Sequence, residues 1–380
     1  MVRSAATLPP KLSDDIRIYL RPLGLLAGRT ARELVAGGRG HWLAGGPLAF
    51  ELCEVILRGP GATERIVAPM SLVAAWGESL LPAARARVGE LYAKLTAPRR
   101  LPGAQSAPLL MGIVNVTPDS FSDGGELGDP AAAIAQAAGL VEQGAAILDV
   151  GGESVRPGAS PVDAETERAR VLPVLEGVAA LRLDGVALSV DTRKAAIMRA
   201  ALAAGTDMIN DVSALTYDDD SLTVVAAGEA SVVLMHMAGE PATMNRDPQY
   251  EDAPLEIFDY LEARVAACCE AGIAHARLIV DPGIAFGKDS AHNLAILERI
   301  ALYHGLGCPI LLGVSRKGLT AAMEEGHAPK DRWPGSLAAS LFALGQGVQI
   351  LRVHDVAAMR QALDVWRAVQ NAQSDFETSQ

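Results

Sequence analysis

The 380-residue sequence predicts an α/β protein whose main body is a (β/α)8 barrel, the TIM barrel, with an N-terminal α/β extension. Three observations carry that prediction. From residue 109 one unit recurs eight times: a short apolar run, a polar loop, an alanine-rich helical stretch, and a glycine before the next run. The units fill about 260 residues, near the roughly 250 usual for such a barrel. Polar residues stand at the C-terminal end of nearly every run, where the loops of a barrel gather its chemistry. A doubly wound open sheet is the alternative, but it would crowd these groups into one crevice instead of bringing them in from all sides.

The runs are LLMGIV, AAILDV, VALSVD, TDMIND, ASVVLMH, ARLIVD, CPILLG and VQILRV. Short, uninterrupted apolar stretches with β-branched residues suit parallel strands buried on both faces. Gly144, Gly185, Gly205, Gly228, Gly272, Gly307 and Gly347 precede the last seven, each positioned to end a helix in the left-handed region. Asp129 followed by Pro130 predicts a capped helix with Ile134, Ala137, Ala138 and Val141 on one face. Asn293 begins another, with Leu294, Leu297 and Ala301.

Residues 1–105 read as an extension and linker, and residues 106–380 as the barrel. LAFELCEVILRG and VAAWGESLLPAARARVGELYAKL predict one or two strands and a helix, with no catalytic spacing. His41 reads as a surface or packing residue, and TAPRRLPGAQSAP as the linker. With 50% apolar and 21% charged residues the chain can bury a sizeable core. Its net charge of −12 argues against nucleic acid or an anionic membrane as the main partner, without excluding an anionic substrate bound by local Arg, Lys and N–H groups. Cys53, Cys268, Cys269 and Cys308 lack zinc or disulfide spacing and read as buried thiols of a reducing cytoplasm. No apolar stretch reaches membrane-spanning length without a charge.

The chemistry gathers at the run ends. In RLIVDPGIAFGKD, residues 277–289, Asp281 follows the apolar run directly, and Pro282 and Gly283 forbid continued pairing. A carboxylate at the edge of an apolar interior is costly unless hydrogen-bonded, and a flat heterocycle with adjacent N–H donors would satisfy it. Asp191 and Asn210 end the third and fourth runs. With Val212, Met235 and Phe286 nearby they describe a slot for a planar, nitrogen-rich ring, although Met235 alone would suit a core. Asn115 begins the loop NVTPDSFSDGG and offers a neutral oxygen suited to hydrated Mg²⁺ carrying phosphates, or simply forms a turn. In GGESVRPGAS, Arg156 can grip an anion or stay solvated. Ser315, Arg316 and Lys317 in GVSRKGLT predict an anion- or ring-binding corner at a helix start. Arg352 and His354, two apart in an extended run, face the same side and read as a diphosphate clamp, with an Arg352 pair to Asp355 as the bland alternative. Walker, dinucleotide, nucleophile-elbow and HExxH patterns are absent from the sequence.

MGIVNVTPDSFSDGG, DVGGESVRPGA, SVDTRK, INDVSA, LMHM, DPGIAFGK, GVSRKG and ILRVHDV occur in this order, and together they resemble the dihydropteroate synthases of folate biosynthesis from Leu109 to Arg367. The resemblance implies a transferase in which 4-aminobenzoate displaces diphosphate from a dihydropterin methyl diphosphate. It implies Asp191, Asn210, Asp281 and Lys317 at the pterin edges, lined by Val212, Met235, Phe286 and Gly313, with Asp191, Asp281 and Lys317 central to catalysis. Asn115, Arg352 and His354 would bind diphosphate, with Mg²⁺ at Asn115. Phe121, Arg156, Ser315 and Lys317 would meet the aminobenzoate, and a cytoplasmic homodimer sensitive to sulfonamides is implied. Two residues depart from the family pattern: Val155 stands where a threonine is common, and Gly318 where a serine is. A pterin-binding methyltransferase and a non-catalytic paralogue are the rival readings. The SRK and RVHD anion sites weigh against the first, and only Val155 and Gly318 support the second.

Overall fold

The computed structural model describes residues 2–4, 8–13, 15–103, 107–117, 129–154, 161–239, 244, 247–319 and 326–371. Phe121, Val155 and Arg156 lie outside these residues. The N-terminal segment holds β1 (Val2–Ser4), β2 (Arg17–Leu23), α1 (Gly28–Ala36), β3 (His41–Trp42), β4 (Ala49–Phe50), β5 (Leu52–Gly59), β6 (Ala62–Pro69), α2 (Met70–Ser79) and α3 (Pro82–Thr96). This is more than the one or two strands and a helix expected. A sheet of order β1-β6-β5-β2 is antiparallel except at β1, and β3 and β4 form a separate ribbon.

The barrel strands are β7 (Leu109–Asn115), β8 (Ile147–Gly151), β9 (Ala187–Asp191), β10 (Met208–Asp211), β11 (Ser231–Met235), β12 (Leu278–Asp281), β13 (Leu311–Leu312) and β14 (Ile350–Val353). They pair in parallel in the order β12-β11-β10-β9-β8-β7-β14-β13, and a parallel bridge from Val280 to Ile310 joins the two ends. Each predicted run therefore supplies a strand of one closed ring. The helices between them include α4 (Pro130–Glu142), α5 (Ala164–Ala180), α6 (Ala195–Ala203), α7 (Ser221–Ala226), α8 (Ala253–Glu270) and α9 (Ser290–Glu298), then Trp333–Gly345 and Val356–Asn371.

Local signals hold in detail, with corrections. The Asp129 side chain accepts from Ala131 N at 2.9 Å and Pro130 opens α4, but the buried stripe is Ala133, Ala137 and Leu140, one residue round from the predicted face. Helix α9 starts at Ser290 under an Asp289 capping box, which leaves Leu294 46% exposed. The upstream glycines take positive φ except Gly228, which follows the short α7. Cys53, Cys268 and Cys308 are buried free thiols, whereas Cys269 is exposed. Among the described residues no helix is long and apolar enough to cross a membrane.

The N-terminal layer packs on the flank of the barrel. β2 and α3 lie against the 3-10 segment Ile300–Leu306, and Tyr19 meets Phe258 edge to face at 5.4 Å. Acids on and just before α8 receive its charged rim: Arg65 pairs with Asp252 at 2.6 Å, Arg17 with Asp259 at 3.0 Å, and Arg87 with Glu262 at 2.6 Å. The Tyr19 hydroxyl donates to Asp259 at 2.8 Å. His41 has the packing role expected, 2.9 Å from the Tyr92 hydroxyl.

Candidate active site

Strand register delivers the site. Alternate side chains of a strand share one face, and Ile147, Ala187, Met208, Val233, Ile279, Leu311 and Ile350 belong to one separate apolar cluster that plugs the ring. Two residues further along the same strands stand Asp149, Ser189, Asn210, Met235, Asp281, Gly313 and Arg352. The inward register that packs the plug thus carries polar groups to the C-terminal mouth. Another two residues bring Asp191 and His354.

At the mouth Arg352 bridges two carboxylates. Its Nε donates to Asp149 Oδ2 at 2.6 Å and its Nη2 to Asp191 Oδ2 at 2.6 Å. Asp149 is fully buried and also accepts from Ser189 Oγ at 2.7 Å and Asn210 Nδ2 at 3.0 Å. A Cβ placed on Gly313 would lie 3.9 Å from Lys317 Nζ, 3.9 Å from Arg352 Cβ and 4.0 Å from Asp281 Oδ2. Asp191, Asn210, Asp281, Lys317 and Arg352 therefore share one site, and a Cβ at position 313 would lie within van der Waals reach of three of them.

Burial and charge set the protonation states. Desolvation raises Asp191 to about 7, with Arg352 pulling the other way. It raises Asp281 as well, opposed by Lys317 and by the Gly283 N–H that donates to Asp281 Oδ1 at 2.7 Å. Lys317 is lowered by desolvation to about 8 although Asp281 stabilises its charge. Its Nζ donates to Ile284 O at 2.7 Å and stands 4.4 Å from the centre of the Phe286 ring. Burial works against the Arg352 charge, but Asp149 and Asp191 outweigh it and hold the guanidinium above its ordinary value. Val212 and Met235 are buried beside the acids, and Phe286 is half-buried.

Several expectations change. The bland pairing of Arg352 with Asp355 does not occur: Asp355 binds Arg316, whose Nη2 lies 2.6 Å from Asp355 Oδ1. Residues 315 and 316 form a turn rather than the start of a helix, with Arg316 at φ +60°. The Arg316 N–H is taken by Ser336 Oγ at 2.7 Å, so Arg316 turns away from the predicted corner. Ser315 and His354 meet each other instead: Ser315 Oγ is 2.9 Å from His354 Nδ1 and accepts from His354 N at 3.1 Å. Glu153 is also buried, held by Arg193 at 3.2 Å and Lys194 at 2.8 Å, with Lys194 also on Glu167.

Asp149 lies in the predicted run AAILDV, where no role was expected of it. Its position two residues beyond the plug residue Ile147 was the available signal. Asn115 ends β7 half-buried and offers one neutral oxygen. Among the described residues no group of three His, Cys, Asp or Glu could hold a metal. This donor set fits Mg²⁺ that keeps its waters and is carried by substrate phosphates, rather than an ion caged by protein.

Fold and site together define a (β/α)8 enzyme whose strand tips suit a planar, nitrogen-rich ring. The family profile for pterin binding enzymes matches residues 111–354. The dihydropteroate synthase of Neisseria meningitidis serogroup B is 47% identical over 267 residues, 69% of this chain and 93% of the relative. The solved dihydropteroate synthase of Xanthomonas albilineans with 4-aminobenzoic acid superposes with a TM-score of 0.65 at 47% identity, covering 70% of this chain and 93% of that one. The Xanthomonas albilineans enzyme in complex with 7,8-dihydropteroate gives 0.60 at 42% identity, with the same coverage of 70% and 93%. The chain belongs to the dihydropteroate synthase family of pterin binding enzymes. The profile match begins at residue 111, so the N-terminal layer lies outside it.

Proposed function

We propose that this chain condenses (7,8-dihydropterin-6-yl)methyl diphosphate with 4-aminobenzoate to 7,8-dihydropteroate in folate biosynthesis. The observation that carries the reading is the gathering of Asp191, Asn210, Asp281 and Lys317 around Arg352 at one mouth. The pterin edges supply N–H donors to Asp191 and Asp281 and an acceptor to Lys317, with Asn210 between them. Val212, Met235, Phe286 and the bare face of Gly313 leave room for the ring.

In the reaction the amine nitrogen of 4-aminobenzoate attacks the pterin methylene carbon. The carbon–oxygen bond to diphosphate breaks, diphosphate leaves with the bonding pair, and the secondary ammonium so formed loses a proton to solvent to give the secondary amine. Asp281, close to the ring, stabilises positive charge that spreads into it as the leaving group departs. Arg352 and His354 face the departing anion, and Asn115 would hold Mg²⁺, which supplies Lewis-acid stabilisation of the diphosphate. The aromatic amine is nucleophilic without a strong base, so orientation by Ser315, Lys317, Phe121 and Arg156 matters more than proton abstraction.

We also infer a cytoplasmic homodimer and sulfonamide binding at the aminobenzoate side. Trp333, Phe342, Val365 and Val369, 45% to 67% exposed on the helices Trp333–Gly345 and Val356–Asn371, supply an apolar face for pairing. A diphosphate-release assay with both substrates tests the function. Release that depends on aminobenzoate is expected. Failure to release diphosphate, or release indifferent to aminobenzoate, refutes it.

A further inference from the structure

The loop that brings Asp281 to the site is wrapped around a lysine to which the reaction assigns no role. Lys288 is 3% exposed. Its Nζ donates to Gly283 O at 2.8 Å, Phe286 O at 2.9 Å and His236 O at 3.2 Å, and lies 2.9 Å from His236 Nδ1. Burial first, then the neighbouring Lys288, push the His236 imidazole down to about 2, so the ring is neutral, and burial likewise pushes the Lys288 amine well below its ordinary value, with Asp281 opposing. Gly283, Ala285 and Gly287 alternate in the left-handed region at φ +69°, +69° and +68°, which bends the loop back on the Lys288 amine. The fit is tight, since a Cβ on Gly283 would come within 1.9 Å of His236 O.

Each tether of Lys288 ends on a wall of the ring slot. Gly283, whose carbonyl Lys288 holds, gives its N–H to Asp281 Oδ1 at 2.7 Å. Phe286, whose carbonyl it also holds, presents its ring to Lys317 Nζ at 4.4 Å. His236 directly follows Met235 at the end of β11. One buried amine therefore fixes the acid, the aromatic wall and the methionine wall relative to one another. Ser315 and His354, on the β13 and β14 side, bind each other.

We propose that Lys288, oriented by His236, is the positioning residue of the pterin side of the site: it holds residues 281–288 so that Asp281 and Phe286 meet the ring in register. The inference rests on the reading of this slot as the pterin site. Lys288→Met keeps the side chain's length and removes its donors. The expected result in the full-length chain is a KM for the dihydropterin diphosphate raised by about tenfold or more, as small misplacements of reacting groups produce, with the KM for 4-aminobenzoate changed less than about twofold. In a Phe286→Ala background the same substitution should have a smaller effect, because one wall it positions is already gone. His236→Asn, which can return an acceptor near the Nδ1 position, should raise the pterin KM less than His236→Leu does. This pair decides the matter if Lys288→Met does not fold, as judged by circular dichroism. An unchanged pterin KM in Lys288→Met, an equal rise in both KM values, or equal effects of the two His236 variants would overturn the proposal. Loss of aminobenzoate-dependent diphosphate release already in the unsubstituted chain would instead overturn the functional reading.

Discussion

Asp149 provides the sharpest test of how the site is held together. It is fully buried, and its two oxygens receive Ser189 Oγ at 2.7 Å, Asn210 Nδ2 at 3.0 Å and Arg352 Nε at 2.6 Å. Asp149→Ala leaves all three groups without that partner, and breaking a buried ion pair from one side costs about 3–5 kcal/mol. Asp149→Asn keeps the shape. Its amide oxygen can take the position facing Arg352 and Asn210, while its NH₂ faces the Ser189 hydroxyl, which accepts after rotating. Only the charge is lost, which reduces a charge-assisted bond of about 1.5–3 kcal/mol to a neutral one of about 0.5–1.5, a loss of about 1–2 kcal/mol. Urea unfolding near neutral pH should therefore rank the unsubstituted chain, Asn and Ala in that order, with the two variants about 2–3 kcal/mol apart. If both variants unfolded within about 1 kcal/mol of the parent, the pair would be solvated and the account of the site wrong.

Three further outcomes are expected. The kcat/KM for the dihydropterin substrate reports groups of the free protein. It should fall as pH drops through about 7, where Asp191 takes up a proton, and again as pH rises through about 8, where Lys317 loses one. Asp191→Asn should abolish the acid limb, and a flat profile extending a unit beyond either value would contradict the assignment. Restoring two hydroxyls with Val155→Thr and Gly318→Ser should lower the KM for 4-aminobenzoate, and no change would count against a role for those positions. Deleting residues 1–105 should destabilise the barrel, because Phe258 loses Tyr19 and the acids Asp252, Asp259 and Glu262 lose Arg65, Arg17 and Arg87. Full burial of one large apolar side chain is worth about 1.5–3 kcal/mol. A fragment with the same urea midpoint as the whole chain would show that the layer contributes nothing to barrel stability.

Sequence alone determined the eight strands, the capped start of α4 and the convergence of acids at one end, because each follows from short-range periodicity. A period of two places Asp149, Asn210 and Asp281 on the same inward face as Ile147, Met208 and Ile279. The N-terminal layer was under-read because its signals are short or mixed. β3 and β4 span two residues each, and β6 reads ATERIVAP, a mixed run whose Arg65 meets Asp252 of the barrel as well as Glu54 of its own sheet. Which charge meets which was left to the tertiary structure. Arg352 is 203 residues from Asp149 and 161 from Asp191, and Lys288 is 52 from His236. Asp355, three residues from Arg352, pairs with Arg316 instead. Closing the ring brings β14 beside β7 and so turns the inward face of Arg352 toward β8 and β9. Pairings across such spans depend on closure of the whole barrel, which no local pattern of residues encodes.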